Sequence, residues 1–426
     1  MSVVEVRPGG VTGRVVCPPS KSYTHRALVA AHLTGHRYRV LRPLVSEDTR
    51  ATRRGLETLG SRIRRDRDGW TFLPPLALGP SDRTGRIDCG ESGTTLRFLL
   101  ALAATRSVRT RFEGAAGLAR RPLEGLVLAL AHAGVSVERS SARSVPVIVQ
   151  GPMRAGRFSV DGAATSQYLS ALLLALPTLE GDSELRVRGA LVSAPYVAAT
   201  EAVLKAHGIE ARRSGRGWSI PGNQRFRGRA FHVPGDASSA AYLWTAGAIT
   251  GGPVRVEGVD GPWPQADMLI LDILRRAGAA VRRSARSAEV TGPVDQGFDV
   301  DLTDAPDLLP LAGALAAVIP RRSTLRGAPQ ARFKESDRRD RTMRLVRALG
   351  GTARPLGDAL EVRGTRRPRR ISLRGLGDHR MVMSASVAAL VASGPSTIGR
   401  GESVRKSFPG FWSALRRLGA GVRPVP

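Results

Sequence analysis

The stretch Leu130-Ala-His-Ala-Gly134-Val-Ser-Val leads from a helix-like run through a glycine into a short strand-like segment. A glycine at this point suits the left-handed residue that ends many helices before a strand begins. The same pattern recurs about every 70 residues, and a fixed period indicates a repeated supersecondary unit. The five other glycines of the pattern are Gly60, Gly208, Gly278, Gly350 and Gly419.

Each copy also contains a second helix-like run that is apolar nearly all round, which predicts a buried helix. These runs are Ser22–His32, Thr94–Ala104, Ser166–Leu176, Ser238–Ile249, Leu308–Val318 and Arg380–Val391. Strand-like segments flank most of them, such as Arg157–Val160 before and Leu185–Arg188 after one helix. The unit is therefore predicted as strand, buried helix, strand, surface helix, strand. Six units in two groups of three predict two similar α/β domains.

The composition limits the class of protein. A chain of 426 residues that is 42% hydrophobic can form two domains with real cores. No apolar run reaches the roughly 18 residues that span a bilayer. Cys17 and Cys89 are the only cysteines, too few for a disulfide framework or a metal-ligand spacing. We expect a cytoplasmic protein without a metal ion or membrane contact.

The formal net charge of +29 raises the question of nucleic-acid binding. The basic residues are spread along the whole chain, however, and aromatic residues make up only 5%, too few for an obvious base-stacking surface. Small anionic substrates fit this pattern better, and we expect no nucleic-acid partner. A non-enzymatic nucleic-acid binder remains the alternative from another class, indicated by filter binding that persists at high salt without phosphate release.

Lysine is rare, since 65 basic residues minus 61 arginines leave four: Lys21, Lys205, Lys334 and Lys406. An ammonium group is compact and can titrate, whereas a guanidinium stays protonated. Three of these lysines stand beside hydroxyl-bearing, acidic or arginine residues and are candidates for function. Lys205, inside a helix-like run, is interpreted as an ordinary surface residue.

Polar residues concentrate at the starts of the predicted buried helices. Ser, Thr and Asp are common N-caps, so capping explains Asp236 and Ser238 as well as any function does. Capping does not require Lys21, Arg26 or Arg380. Helix N-termini with added cations bind phosphate or carboxylate, so a shared cleft would suit substrates with several negative charges. An ion pair on its own helix is the alternative for Arg26, as is a simple i,i+3 pair with Arg338 for Glu335.

Nine motifs, in order along essentially the whole chain, resemble the 5-enolpyruvylshikimate-3-phosphate synthase family. They are Ser20-Lys21-Ser22-x-x-x-Arg26, Ser92-Gly93-Thr94-Thr95-x-Arg97, Arg121-Pro122, Thr165-Ser166-Gln167, Gly235-Asp236-Ala-Ser-Ser, Pro306-Asp307, Lys334-Glu335-Ser336-Asp337-Arg338, Asp378-His379-Arg380-Met381 and Lys406-Ser407-Phe408-Pro409. The resemblance implies a two-domain inverted α/β barrel with six βαβαββ repeats. It implies a discontinuous domain of residues 1–20 and 235–426, an inserted domain of residues 21–234, and a hinge near 20 and 233–236.

The resemblance also implies an activity: transfer of the enolpyruvyl group of phosphoenolpyruvate to the 5-hydroxyl of shikimate 3-phosphate, by addition and elimination, without a cofactor. We expect a monomer. The implied catalytic residues are Asp307, Glu335 and Lys21. Shikimate 3-phosphate would contact Lys21, Ser22, Arg26 and Lys334, with Thr165, Ser166 and Ser193 on its phosphate and Gln167 touching both substrates. Phosphoenolpyruvate would contact Lys21, Gly93, Arg121, Arg338, Arg380 and Lys406.

Two related functions stay open at this point. A sister transferase acts on UDP-N-acetylglucosamine, but it typically has Lys-Asn at the first motif, where this chain has Lys21-Ser22. A paralogue with another acceptor would share most of the motifs. The departures from the family pattern are small: Thr165 stands where serine is common and keeps a hydroxyl group.

Overall fold

The computed structural model describes residues 2–74, 85–140, 143–259 and 261–425. The chain divides into two compact units. The discontinuous unit comprises Met1–Pro18 and Pro234–Pro426, and the inserted unit comprises Pro19–Val233. These boundaries fall one or two residues before the positions that the sequence motifs imply.

The inserted unit contains seven α-helices and twelve strands within the described residues. Its helices are α1 (Lys21–Thr34), α2 (Glu47–Thr58), α3 (Gly93–Ala104), α4 (Ala116–Ala119), α5 (Glu124–His132), α6 (Gln167–Ala175) and α7 (Ala194–Ala206). Its strands are β3 (Tyr38–Leu41), β4 (Arg62–Asp66), β5 (Gly69–Leu73), β6 (Gly85–Asp88), β7 (Thr110–Glu113), β8 (Ser136–Arg139), β9 (Val147–Gln150), β10 (Arg157–Asp161), β11 (Ser183–Arg188), β12 (Arg212–Ser214), β13 (Gly217–Ile220) and β14 (Ala230–His232).

The discontinuous unit contains six α-helices and twelve strands in its described part. Its helices are α8 (Ala237–Thr250), α9 (Leu269–Arg276), α10 (Leu309–Ala317), α11 (Arg338–Ala348), α12 (His379–Ala389) and α13 (Phe411–Arg417). Its strands are β1 (Val3–Arg7), β2 (Gly13–Val16), β15 (Val254–Glu257), β16 (Ala280–Arg283), β17 (Ser287–Thr291), β18 (Asp299–Asp301), β19 (Arg322–Arg326), β20 (Thr352–Leu356), β21 (Ala359–Arg363), β22 (Ser372–Leu373), β23 (Ser396–Gly399) and β24 (Gly421–Val425).

Within the described residues, six four-stranded sheets, three in each unit, share one topology. Their orders are β14-β3-β5-β4, β6-β7-β9-β8 and β10-β11-β13-β12 in the inserted unit, and β2-β15-β17-β16, β18-β19-β21-β20 and β22-β23-β1-β24 in the discontinuous unit. In each sheet the first two strands are parallel and the other neighbours are antiparallel, as in the β10–β11 and β11–β13 pairs. A parallel pair needs a crossover connection, and in four of the described sheets a buried helix supplies it: α3, α6, α10 or α12.

Three sheets contain strands that are distant in sequence. β2 pairs with β15, β14 pairs with β3, and β1 lies between β23 and β24. The first two pairings coincide with the two places where the chain passes from one unit to the other. At each place, a strand in one unit is followed by a buried helix in the other unit. The helix after β2 is α1 of the inserted unit, and the helix after β14 is α8 of the discontinuous unit.

The six repeated glycines all adopt positive φ, from 69° at Gly208 to 105° at Gly278. Any other residue would be strained in this conformation, so the repeat follows from backbone geometry. The six predicted buried helices are confirmed as α1, α3, α6, α8, α10 and α12, with ends shifted by at most two residues. None of the helices in the described residues is long and apolar enough to cross a membrane.

Candidate active site

Arg338, the first residue of α11, is the centre of a buried charge cluster in the discontinuous unit. Its side chain is 1% exposed. Nε donates to Oδ2 of Asp378 over 2.9 Å, Nη1 to Oδ1 of Asp307 over 2.7 Å, and Nη2 to Oε2 of Glu335 over 2.6 Å. The i,i+3 pair between Glu335 and Arg338 is therefore present, as part of a larger network. Burial opposes the charge of Arg338, but the three carboxylates outweigh burial and raise its pKa.

Asp307 lies in the 3-10 helix Pro306–Leu308, directly before α10, and receives three cations. Besides Arg338, its carboxylate contacts Nη2 of Arg380 at 2.8 Å and Nζ of Lys334 at 3.4 Å. Burial alone would raise the pKa of Asp307, but these three positive charges hold it well below its usual range. Asp307 is therefore an ionised hydrogen-bond acceptor in this arrangement.

Lys334 is the titratable cation of the cluster. Burial and the charges of Arg338 and Arg380 lower its pKa, against the opposing effect of Asp307 and Glu335. A lysine at this position can respond to a neighbouring anion by changing its protonation, which an arginine cannot do.

Asp378 fixes the start of α12, and sequence reasoning assigned it nothing beyond a place in a motif. Its Oδ1 accepts from the backbone N–H of Arg380 over 2.9 Å, and its Oδ2 accepts from Oγ of Ser336 over 2.9 Å as well as from Arg338. Burial would raise the pKa of Asp378, but Arg338 lowers it below the ordinary value. This N-cap therefore joins the first turns of α11 and α12. Asp378 could not be identified as a site residue from the sequence, because the sequence does not show that it is buried next to Arg338.

Lys406 ends the 3-10 helix Gly401–Lys406, which packs against α12, the helix that carries Arg380. In the discontinuous unit, then, the structure brings together Asp307, Lys334, Glu335, Arg338 and Arg380 by direct contacts and places Lys406 on an adjoining element.

A second cluster lies at the N-terminus of α3 in the inserted unit. A Cβ atom on Gly93 would lie 2.5 Å from Nη1 of Arg97 and 3.2 Å from Nη1 of Arg121. Glycine thus lets two guanidinium groups approach the first turn of a buried twelve-residue helix. Gln167, at the start of α6, accepts a 2.6 Å bond from Arg97 and donates to Oγ1 of Thr94 over 3.2 Å. Cations at a helix N-terminus favour anion binding.

Arg26 is buried in α1, and its four hydrogen bonds go to neutral groups. It donates to Oγ1 of Thr200 over 2.8 Å, to the carbonyl oxygens of Tyr196 (2.7 Å) and Ser22 (2.9 Å), and to Oγ of Ser170 over 3.3 Å. Burial lowers the pKa of Arg26 to about 10. The ion pair on its own helix, considered from the sequence, is wrong. Within the described residues, four of the five N–H donors of this guanidinium bind protein groups, and one remains.

The remaining candidates of the inserted unit occupy helix starts. Lys21 begins α1, where its Nζ lies 2.9 Å from Oδ2 of Asp48. Thr165 and Ser166 precede α6, and the Thr165 hydroxyl accepts from the backbone N–H of Gln167 over 3.3 Å. Ser193 precedes α7 with a positive φ of 58°, uncommon for serine and often associated with function.

Asp236 and Ser238, which capping could explain, behave differently. Asp236 is the N-cap of α8 and accepts from the backbone N–H of Ser239 over 3.2 Å. Ser238 donates its hydroxyl to Asp267 instead. Within the described ranges, no group of three His, Cys, Asp or Glu side chains is placed to hold a metal ion.

Comparisons of sequence agree with the motifs. The family model of EPSP synthase (3-phosphoshikimate 1-carboxyvinyltransferase) matches residues 6–415. A protein named 3-phosphoshikimate 1-carboxyvinyltransferase from Thermococcus kodakarensis is 41% identical over 411 residues, which cover 96% of this chain and 98% of that protein. A protein of the same name from Halobacterium salinarum is 38% identical over 424 residues, covering 97% and 98%.

Comparisons of structure agree with the fold. A solved EPSP synthase from Acinetobacter baumannii matches with a TM-score of 0.79 at 24% identity over 100% of both chains. The enolpyruvyl transferase NikO from Streptomyces tendae matches with a TM-score of 0.78 at 18% identity, covering 100% and 99%. At such identities the likeness establishes the fold alone. With the six sheets, it confirms the predicted fold class.

Proposed function

Because the chain belongs to the EPSP synthase family, we propose that it transfers the enolpyruvyl group of phosphoenolpyruvate to the 5-hydroxyl of shikimate 3-phosphate, releasing phosphate. This reaction is a step of the shikimate pathway. The observation that supports it most directly is the buried cluster in which Asp307 and Glu335 are held by one arginine beside Lys334 and Arg380. The cluster combines two proton-handling carboxylates with cations for an anionic substrate.

The proposed chemistry is an addition followed by an elimination. Glu335, in its protonated form, gives a proton to the methylene carbon of phosphoenolpyruvate, which makes the neighbouring carbon electrophilic. The 5-hydroxyl oxygen of shikimate 3-phosphate bonds to that carbon, and its proton passes to Asp307. The new methyl group then returns a proton to the Glu335 carboxylate as the carbon–carbon double bond forms again and the carbon–oxygen bond to phosphate breaks. Two carboxylates in separate roles account for protons that move in opposite directions.

The three cations around Asp307 limit its strength as a base. A carboxylate that three cations hold in its ionised form is a weak base, so its first task is to accept a hydrogen bond from the attacking hydroxyl and orient it. As the hydroxyl oxygen bonds to the electrophilic carbon, its proton becomes strongly acidic. A weak base such as Asp307 can then accept that proton.

Substrate binding uses the remaining candidates. For phosphoenolpyruvate the proposed residues are Lys21, Gly93, Arg121, Arg338, Arg380 and Lys406. For shikimate 3-phosphate they are Lys21, Ser22, Arg26 and Lys334, with Thr165, Ser166 and Ser193 on the phosphate, and Gln167 contacts both substrates. The N–H donor of Arg26 that remains suits one carboxylate oxygen. Each charge-assisted contact contributes roughly 1.5–3 kcal/mol.

The proposal requires residues from both units to act on the same two substrates. The hinge near 20 and 233–236 therefore remains a prediction of domain closure. Small-angle scattering measures it, and identical profiles with and without shikimate 3-phosphate would count against closure.

A coupled phosphate-release assay on the purified chain tests the function. Phosphate is expected only when both substrates are present, in amounts equal to the product formed. Release from phosphoenolpyruvate alone, or none with both substrates, would contradict the proposal. Replacing shikimate 3-phosphate by UDP-N-acetylglucosamine is the matched control for the sister reaction and is expected to give no phosphate.

A further inference from the structure

Asp267 is a buried carboxylate that faces Arg380 and that the sequence motifs did not identify. It lies in the 3-10 helix Ala266–Met268, directly before α9, and is 2% exposed. Its Oδ2 lies 3.8 Å from Nη1 of Arg380 and accepts the hydroxyl of Ser238. Among the described residues, no hydrogen-bond donor reaches its Oδ1.

The backbone around Asp267 is fixed against the start of α8. The side chain of Gln265 accepts from the backbone N–H of Ala237 over 2.8 Å and donates to the carbonyl oxygen of Gly235 over 2.9 Å. Because both bonds are side chain to backbone, the segment before α9 is tied to the turn that begins α8. The carboxylate of Asp267 is therefore held near Arg380 by the fold.

The charged groups that face Asp267 come from three other elements. They are Arg380 on α12, Asp307 before α10 and Asp236 at the N-cap of α8. On α9, the helix that follows, Asp272 is exposed and pairs with Arg275 at 2.7 Å. Among the described residues, Asp267 thus has one cation within ion-pair distance, Arg380 at 3.8 Å, and two carboxylates oppose its charge.

These surroundings let Asp267 change its charge near neutral pH. Burial raises the pKa of Asp267 to about 6, Arg380 lowers it, and Asp307 raises it. The contrast with Asp307 is direct, because three cations keep the pKa of Asp307 well below its usual range. Tyr242, beside Arg380, stays neutral because burial raises its pKa to about 12.

Arg380 thus stands between two carboxylates of different strength. An anion that binds to its guanidinium adds a third negative charge, which disfavours the ionised form of the less stabilised carboxylate. Protonating Asp267 removes that repulsion and leaves Arg380 its full charge for the ligand.

We propose that Asp267 is a positioning residue that tunes the anion affinity of Arg380 and takes up a proton when phosphoenolpyruvate binds there. The inference rests on the proposed function, which places phosphoenolpyruvate on Arg380. Linkage makes the effect reciprocal: the anion favours protonated Asp267, and protonated Asp267 favours the anion. Affinity is therefore highest below the pKa of Asp267 in the free protein and falls as the pH rises through it.

Equilibrium titration of phosphoenolpyruvate into the full chain, without the second substrate, tests the coupling. Asp267→Asn imitates the neutral carboxyl group at every pH. The ratio of the wild-type dissociation constant to that of Asp267→Asn is expected to rise from about 1 at pH 5 to about 3–10 at pH 8, for a pKa change of about half a unit to one unit. Ionisation of the ligand itself cancels in this ratio.

Three variants make the result specific. Asp272→Asn removes the same charge from the exposed face of α9, so its ratio is expected to stay at about 1 throughout. Ser238→Ala keeps the carboxylate but removes a donor to its ionised form, so the pH dependence is expected to move to higher pH. Arg380→Gln is expected to weaken binding at least about tenfold and to remove the pH-dependent difference made by Asp267→Asn.

The outcomes separate the two proposals. A ratio that stays constant with pH would overturn the coupling and leave Asp267 a structural residue at the start of α9, whether or not the chain turns over substrate. A pH-dependent ratio in a chain that releases no phosphate with both substrates would support the coupling and contradict the proposed function.

Discussion

Nη1 of Arg338 donates a 2.7 Å hydrogen bond to Oδ1 of Asp307. The Arg338 side chain is 1% exposed, and its remaining bonds go to Glu335 and Asp378. One guanidinium therefore holds three carboxylates from three separate elements of the fold. Because its donors are mostly committed and its surface is covered, Arg338 acts on an anion mainly through its charge and through the carboxylates that it fixes.

Arg338→Gln is expected to lower the free energy of unfolding by about 3–5 kcal/mol, because it leaves three carboxylates without their shared countercharge in a buried site. Urea unfolding at pH 7 measures this. Arg344→Gln on the same helix is the control: Arg344 is 68% exposed and pairs with Asp340, so a loss of no more than about 1 kcal/mol is expected. Equal losses in the two variants would contradict the organising role of Arg338.

Glu335→Gln is expected to reduce turnover by about 100- to 10,000-fold, because the amide can accept the bond from Arg338 but cannot deliver a proton to carbon. The Michaelis constants and the melting temperature should change little. Steady-state phosphate release measures the loss. Asp340→Asn, an exposed carboxyl change on α11, should leave turnover unchanged, and near-wild-type turnover in Glu335→Gln would rule out the proposed proton donor.

The repeat could be predicted because it depends on local rules. Gly134 and its five counterparts need positive φ, which almost only glycine adopts freely, and apolar runs such as that of α8 have to be buried. The order of the strands in the sheets could not be predicted from the local sequence pattern. β1 between β23 and β24, and β14 beside β3, are contacts across hundreds of residues that no local pattern encodes.

The candidate site was predictable where residue type was unusual for its place. Lys334 stands out because lysine is rare in this chain, and Arg380 stands out because capping does not require a cation. Both contact Asp307. Asp267 and Asp378 did not stand out, because an acidic residue before a helix is ordinary. Their significance comes from burial beside an arginine, and burial arises only when separate elements pack together.

Lys21→Met is expected to reduce phosphate release below detection, with the melting temperature within a few degrees of wild type. Lys21 starts α1, where it is half-buried and bound to Asp48, and no other lysine lies near it in sequence. Lys205→Met, on the exposed face of α7, removes the same charge and should leave turnover unchanged. Lys21→Arg should restore the charge but little of the activity, since a guanidinium cannot titrate or fit the space of an ammonium group. Full activity in Lys21→Arg would show that only the charge matters.

Asp267 also predicts how stability depends on pH in the absence of ligand. Burial raises its pKa in the folded chain to about 6 from 3.8. A group whose pKa is higher in the folded chain stabilises the fold fully at pH values below its pKa in the unfolded chain. That stabilisation is lost as the pH rises through its pKa in the folded chain. Between pH 4.5 and pH 8, the free energy of unfolding of the wild-type chain should therefore fall by about 2 kcal/mol relative to that of Asp267→Asn. Most of this fall should occur below about pH 6. Urea unfolding across this range measures the difference, and Asp272→Asn should run parallel to wild type. A constant gap between Asp267→Asn and wild type would show that Asp267 is already ionised throughout this range, and the proton uptake proposed for it would have no source.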